Sequence, residues 1–260
     1  MSWSTHETAV IDVVFLVLPD TLLLDLAGPA EAFRLANQAL HRRGRAPAFR
    51  MRHIGPRPQT ASSVGLMLGG LEPLPAGFDP AQPTWLVLLD RPGEVGEVVG
   101  ATPDWLAARD WLGRVVAPRL TPPGTPAGAL KLLTVCSGAL LAADAGLLAG
   151  RQATTHHELL DGLRRLAPAA KVLANRVFVD DGAVLTSAGI TAGIDLALHL
   201  GASGASLAKC PLWSPVIAPT AAERHWLRSQ WCKTTHDYDP AARATFGIPK
   251  SPVIYRRENY

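Results

Sequence analysis

A cysteine, Cys136, stands in the stretch KLLTVCSGALLAADAGLLAG (Lys131–Gly150), at the point where the residue pattern changes character. Lys131 to Val135 is a short apolar run, partly β-branched, of the kind a buried strand uses. From Ser137 onward, Leu140, Leu141, Leu147 and Leu148 fall among alanines at helical spacing. A cysteine at such a changeover lies at the carboxyl end of a strand, and the following helix directs free N–H groups and its positive dipole end at the sulfur. That environment favours thiolate over thiol, and so a nucleophile or a redox-sensitive group. Ser137, Gly138 and Ala139 are small enough for the bend. The same spacing also suits a small buried apolar residue, a common use of free cysteine. Asp25 and the pair His156-His157 are further candidates, each placed after a strand candidate. Their structural alternatives are helix capping for Asp25 and capping or packing for the histidines. No third ligand has metal spacing relative to the histidines, so no metal site is expected.

The elements that must position these groups read clearly in order. Ala9 to Leu18 is a buried strand ended by Pro19-Asp20. Asp25 follows, just ahead of a helix that Pro29 opens at its first turn, with Phe33, Ala36 and Leu40 on one face. Phe49 to Ile54 and Thr84 to Leu89 are further strands, and Val64 to Leu68 belongs to a small hairpin. Thr102-Pro103 starts a helix with Trp105, Ala108, Leu112 and Val115 as its apolar stripe. Beyond Gly150 comes a short strand, then a helix with Thr155 and Glu158 at capping-box spacing and Leu159, Leu163 and Leu166 facing inward. NRVFVDDGAVLTS reads as a hairpin turning at Asp181-Gly182, and ITAGIDLALHL as a buried helix. This alternation predicts an α/β fold, an open and mostly parallel sheet with helices on both faces. Chemistry in such sheets gathers outside the carboxyl ends of the strands, where Asp25, Cys136 and His156 could meet.

The bulk properties exclude several classes. At 260 residues with 48% hydrophobic and 18% charged content, the chain has enough apolar residues for a sizeable core and is not disordered throughout. A net charge of +3 without a clustered basic patch is no sign of nucleic-acid binding. Three cysteines, Cys136, Cys210 and Cys232, form no CxxC pair, which points to a reducing, cytoplasmic compartment and no zinc cage. MSWSTHET lacks the basic-then-apolar order of a signal peptide, and Asp12, Asp144 and Asp195 interrupt the longest apolar runs, so no membrane span is expected.

VCSGALLAADAGLLAGRQATTHH followed by DGAVLTSAGITAGIDLALHL closely resembles the ThiJ/PfpI superfamily, and within it the amino-terminal domain of GlxA-like AraC-type transcription regulators. LDLAGP around Asp25 and EAFRLANQAL at Glu31–Leu40 carry the same likeness, which spans roughly residues 10 to 200. The resemblance implies the class I glutamine amidotransferase-like fold with flavodoxin-like layering, a nucleophile-elbow cysteine at Cys136 and its acidic companion at Asp25. It implies a homodimer that senses a small-molecule ligand, with Ser137, Gly138 and His156 bordering the pocket and no cofactor. Protease- and glyoxalase-type relatives carry histidine directly after the cysteine, where this chain has Ser137. Isocyanide hydratases share the LDL-GP and VC-[ST]-G motifs, and their mechanism would have a Cys136 thiolate attack the terminal carbon while Asp25 shuttles the proton. Two departures stand against it. LLDRPGEVG puts Asp90-Arg91 where the family commonly has a Gly-Gly turn, and His156-His157 replaces the usual His-Trp. A carboxylate at position 90 opposes developing negative charge.

The organisation expected is a sensor domain over residues 1–200 and an irregular tail over 201–260. The tail holds recurrent prolines and three of the seven tryptophans, with a short helix at Ala221 to Trp231. It is too short and too proline-rich for the two helix-turn-helix units of an AraC-type regulator, so this chain alone is not expected to bind DNA; a reading frame disrupted near Gly201, or a stand-alone member with its own C-terminal extension, would account for the change in character.

Overall fold

Ile11–Leu16 (β1) is buried along its whole length, as a central strand covered on both faces must be. The computed structural model describes residues 9–100, 102–189 and 191–204. After β1, Asp20 takes a left-handed backbone (φ 64°) and the chain enters helix α1, Leu23–His41. Its buried residues Asp25, Leu26, Pro29, Ala32, Phe33, Ala36 and Leu40 follow the helical repeat. The helix therefore begins six residues before Pro29, rather than at it. Proline removes one backbone bond from the helix interior, yet its ring is buried against α6, described below. The Asn37 amide then ties α1 to the next strand: its Nδ2 donates to Phe49 O (2.7 Å), and its Oδ1 accepts from the Ala48 and Phe49 N–H groups.

The following elements are β2 (Phe49–Gly55), a hairpin of β3 (Gln59–Ala61) and β4 (Met67–Gly69), β5 (Glu72–Pro73) and β6 (Thr84–Leu88). Next come α2 (Val95–Val98), α3 (Pro103–Trp111), β7 (Leu130–Val135) and α4 (Gly138–Asp144). The remainder is β8 (Gln152–Ala153), α5 (Leu160–Leu166), β9 (Lys171–Val172), β10 (Phe178–Asp181), β11 (Val184–Ser187) and α6 (Ala192–Gly204). Seven strands form the main sheet in the order β10-β11-β7-β6-β1-β2-β5, and only the β10–β11 pairing is antiparallel. Proline in β5 is tolerated because that strand lies at the edge. The chain moves from β1 to β2 on one side and later to β6 on the other, which makes the carboxyl ends of β1 and β6 the switch point of the sheet.

Alternating residues serve opposite faces. Val14, Leu16, Leu86 and Leu88 join a core with Trp105, Leu140 and Leu163 from α3, α4 and α5. Trp85 instead packs with Phe33 and Phe49 at ring separations of 5.8 and 5.5 Å, beneath α1. Each such aromatic pair adds about 0.5–1.5 kcal/mol beyond burial. The α3 stripe departs from expectation in one detail. After Trp111 the chain makes a π-helical turn over Leu112–Val116, so Val116 is fully buried where Val115 was expected. The wider turn shifts the register by one residue.

The α6 helix runs past Leu200 to Gly204. The expected tail beyond that point, with its helix at Ala221 to Trp231, lies outside the described residues. Among the described residues, no helix is long and apolar enough to cross a membrane.

Candidate functional site

Cys136 occupies the bend between β7 and α4 with φ 53°, a left-handed conformation that costs a non-glycine residue roughly 1–3 kcal/mol. Three hydrogen bonds hold it there. Its N–H donates to Ser187 O (3.2 Å), and its carbonyl accepts from Thr155 Oγ1 (2.7 Å) and the Ala139 N–H (3.2 Å). Thr155 is thus committed to the bend, which is why the expected capping box with Glu158 does not form. Gly138 is required by crowding, because a Cβ there would stand 2.4 Å from the Leu88 carbonyl oxygen. Gly189, past the end of β11, fills a second narrow place: a Cβ there would lie 2.8 Å from the His156 ring and 3.0 Å from the Cys136 sulfur.

The loop after β6 is fastened onto this bend. Asp90 Oδ1 accepts the Ser137 N–H (3.0 Å), the Arg91 N–H donates to Ser137 Oγ (2.9 Å), and Ser137 Oγ donates to Arg91 O (3.1 Å). Ser137 was expected to face a ligand. It is 1% exposed, and its hydroxyl is engaged by the Arg91 backbone instead. Gly138 is likewise buried beneath Leu88, so its contribution is clearance for the bend.

Asp25, from the first turn of α1, completes the centre. One ligand-type atom from each of Asp25, Asp90 and Cys136 lies within 4.8 Å of the others, and all three side chains are buried. Among the described residues, neither carboxylate oxygen of Asp25 has a hydrogen-bond partner. Burial, reinforced by the nearby Asp90 charge, pushes the Asp25 carboxyl up to about 8, so at neutral pH it is mostly the acid.

The sulfur shows the largest difference from the sequence-based expectation. Burial first, then the charge and hydrogen bonding of Asp90 and the charge of Asp25, drive the Cys136 thiol far above its ordinary range; only the Ser137 N–H opposes them. These surroundings oppose the expected thiolate. A seven-residue helix contributes too little positive potential to offset two buried carboxyl groups.

His156 stands across Gly189 from the sulfur and is half-buried, its ring 4.2 Å from that of His157. Burial and His157 lower its pKa while Glu158 and Asp90 pull the other way, so its imidazole is neutral above the ordinary histidine range. The arrangement thus unites the predicted Cys136 and Asp25, keeps His156 beside them, and adds Asp90 and Gly189. Their sequence signals were the ends of β6 and β11, next to β7 in the sheet. Chemically the site brings together a sulfur, two carboxyl groups and an imidazole, groups suited to proton exchange and to metal or polar-ligand binding.

Comparisons with known proteins fit this geometry. An uncharacterized protein of Streptomyces lividans, from the cpoL 5′ region, is 35% identical over 164 residues, covering 60% of this chain and 94% of that protein. The HTH-type transcriptional regulator CdhR of Pseudomonas aeruginosa is 31% identical over 204 residues, 73% of this chain and 49% of the regulator. Isonitrile hydratase of Pseudomonas putida is 46% identical over 70 residues, 26% of this chain and 28% of the enzyme. The chain thus spans about half of the regulator's length and less of the hydratase's. Among solved structures, an AraC family transcriptional regulator from Pseudomonas putida superposes with a TM-score of 0.58 at 18% identity, over 77% of this chain and 96% of that one. A ThiJ/PfpI family protein from Pseudomonas syringae gives 0.56 at 20% identity, over 93% and 92% respectively. A family model described as DUF6701, fourth domain, matches residues 155–259; it covers less than half of the chain and enters the sheet only at its last strands. With the bend at Cys136 and the parallel sheet in agreement, the chain shares the fold of the ThiJ/PfpI family and AraC-family regulator structures, and it belongs to the same family as the Streptomyces lividans protein, which it matches over nearly that protein's whole length.

Proposed function

We propose that this domain is the ligand-sensing and dimerisation domain of a GlxA-like AraC-type transcription regulator. The observation that carries the reading is the packing of the centre: Asp25, Asp90 and Cys136 are buried together within 4.8 Å, with Asp90 bonded to the Ser137 N–H, and that burial beside two carboxyl groups disfavours the thiolate a covalent catalyst needs. The likeness to CdhR over 204 residues supports the same class. In this reading the sensor occupies residues 1–200, Cys136, Asp25 and His156 border the place of a small nitrogenous metabolite, and Ser137 and Gly138 shape the bend beneath it. The domain works as a cytoplasmic homodimer and makes no DNA contact of its own.

A second reading is favoured by the 46% identity with isonitrile hydratase. There Cys136 sulfur adds to the isonitrile carbon, Asp25 delivers the proton, and water displaces the sulfur to give the N-substituted formamide. Asp90 takes no productive part in that scheme. Incubation of a simple alkyl isonitrile with the wild-type protein and with Cys136→Ala separates the two. No formamide above background in either is the expected result, and Cys136-dependent formamide release would overturn the sensor reading.

A further inference from the structure

We propose that Asp25, Asp90 and Cys136 form a binding site for one divalent transition-metal cation of the zinc type. The inference goes beyond the regulatory reading and does not depend on it. Three separate parts of the chain, the first turn of α1, the end of β6 and the bend after β7, bring two carboxyl groups and a sulfur within 4.8 Å of one another. Asp25 is fully buried, with both oxygens lacking any hydrogen-bond partner. Buried carboxylates are normally hydrogen-bonded, paired with a cation, or bound to a metal.

This chain follows that rule elsewhere. Buried Asp12 faces Arg50, and buried Asp104 faces Arg57 at 2.9 Å. Among the described residues no such side chain serves Asp25. The guanidinium nearest in sequence to Asp90, that of Arg91, is directed to Val98 O and toward Asp20 at 3.8 Å.

The donor set selects the class of cation. Calcium and magnesium take oxygen ligands, whereas a thiolate with two carboxylates suits a borderline cation. Zinc–sulfur and zinc–oxygen bonds of about 2.3 and 2.0–2.2 Å place tetrahedral donors on the order of 3.3–3.8 Å apart, within reach of small side-chain rotations here. The Ser137 N–H on Asp90 Oδ1 is the kind of outer hydrogen bond that orients a metal-binding carboxylate. Three protein ligands leave a fourth position for water or a small ligand. On binding, the S–H bond of Cys136 and the O–H bond of Asp25 break, metal–sulfur and metal–oxygen bonds form, and the protons pass to the buffer. The metal thereby supplies the positive charge that two acids and a thiol lack.

The test is a titration of the chelator-stripped full chain, under reducing conditions, with cobalt(II) chloride alone. The expected result is a saturable one-equivalent thiolate-to-cobalt charge-transfer band in the near ultraviolet, displaced by zinc. The band persists in the Cys210→Ser/Cys232→Ser double variant and is lost in Cys136→Ser. Asp25→Asn and Asp90→Asn each weaken cobalt binding at least about tenfold while circular dichroism stays that of the wild type. The absence of the band in the wild-type protein, its survival in Cys136→Ser, or its indifference to both aspartate variants would each overturn the proposal; the first of these needs no variant to fold.

Discussion

The two ends of the central strand treat a buried carboxyl group in opposite ways. At the amino end of β1, Asp12 is 4% exposed and held by Arg50 through two bonds of 2.7 and 2.8 Å, with Arg52 at 3.9 Å. At the carboxyl end, Asp25 is wholly buried, has no partner for either oxygen among the described residues and faces a second carboxyl group, Asp90. The amino end therefore uses charge to fix β1 to β2, which any sheet edge can do. The carboxyl end keeps an acid next to a thiol at some cost in stability, and such retained strain is a mark of function.

The sharpest test of the contrast is Asp25→Asn. The folded-state pKa of Asp25 is raised to about 8, above its ordinary value of 3.8. Its stabilising contribution is therefore complete below about pH 4 and is lost as pH rises through 8. Asparagine, which never ionises, avoids that loss. In metal-free buffer the variant is expected to match the wild type near pH 4 and to exceed it by a few kcal/mol (roughly 2–5) above pH 8, read from denaturant midpoints. A difference that does not change with pH would mean that Asp25 finds a partner after all.

How much of this was visible in the sequence depends on whether neighbours in the chain or in space decide. The strand run Lys131–Val135 and the small residues after Cys136 placed the bend correctly, because a left-handed corner under Leu88 demands such residues locally. The parallel sheet followed from alternation of elements, and Asp25 from its place after β1. Pro29 misled, since the start of α1 is set by packing against α6 and not by the proline's own preference. The ionisation of Cys136 was beyond reach: the carboxyl groups that reverse it come from 46 and 111 positions away. Asp90 was noticed as a departure from the Gly-Gly turn, but its hydrogen bond to the Ser137 N–H required the β6–β7 register.

Asp90→Asn sharpens the same comparison from the sulfur's side. The amide keeps an oxygen for the Ser137 N–H but removes the charge that raises the Cys136 pKa. Alkylation of Cys136 by iodoacetamide at pH 8, quantified on the Cys136 peptide, should accelerate by about tenfold, or about 1.4 kcal/mol in barrier terms. Slower alkylation would make Asp90 an activator of the thiol and restore the nucleophile reading.

The smallest effects belong to the paired end, and their asymmetry is informative. Arg50→Ala strips the main partner from buried Asp12, so a carboxylate is left with Arg52 alone, and a loss of about 1–2 kcal/mol is expected. Asp12→Asn leaves the opposite orphan, a guanidinium whose side chain is already 61% exposed and returns to water; its loss should stay below about 1 kcal/mol. Urea unfolding at pH 7 distinguishes the two. If both variants lose the same amount, the buried oxygen of Asp12 is not what the arginine is there to satisfy, and the unpartnered state of Asp25 would lose its meaning as an exception.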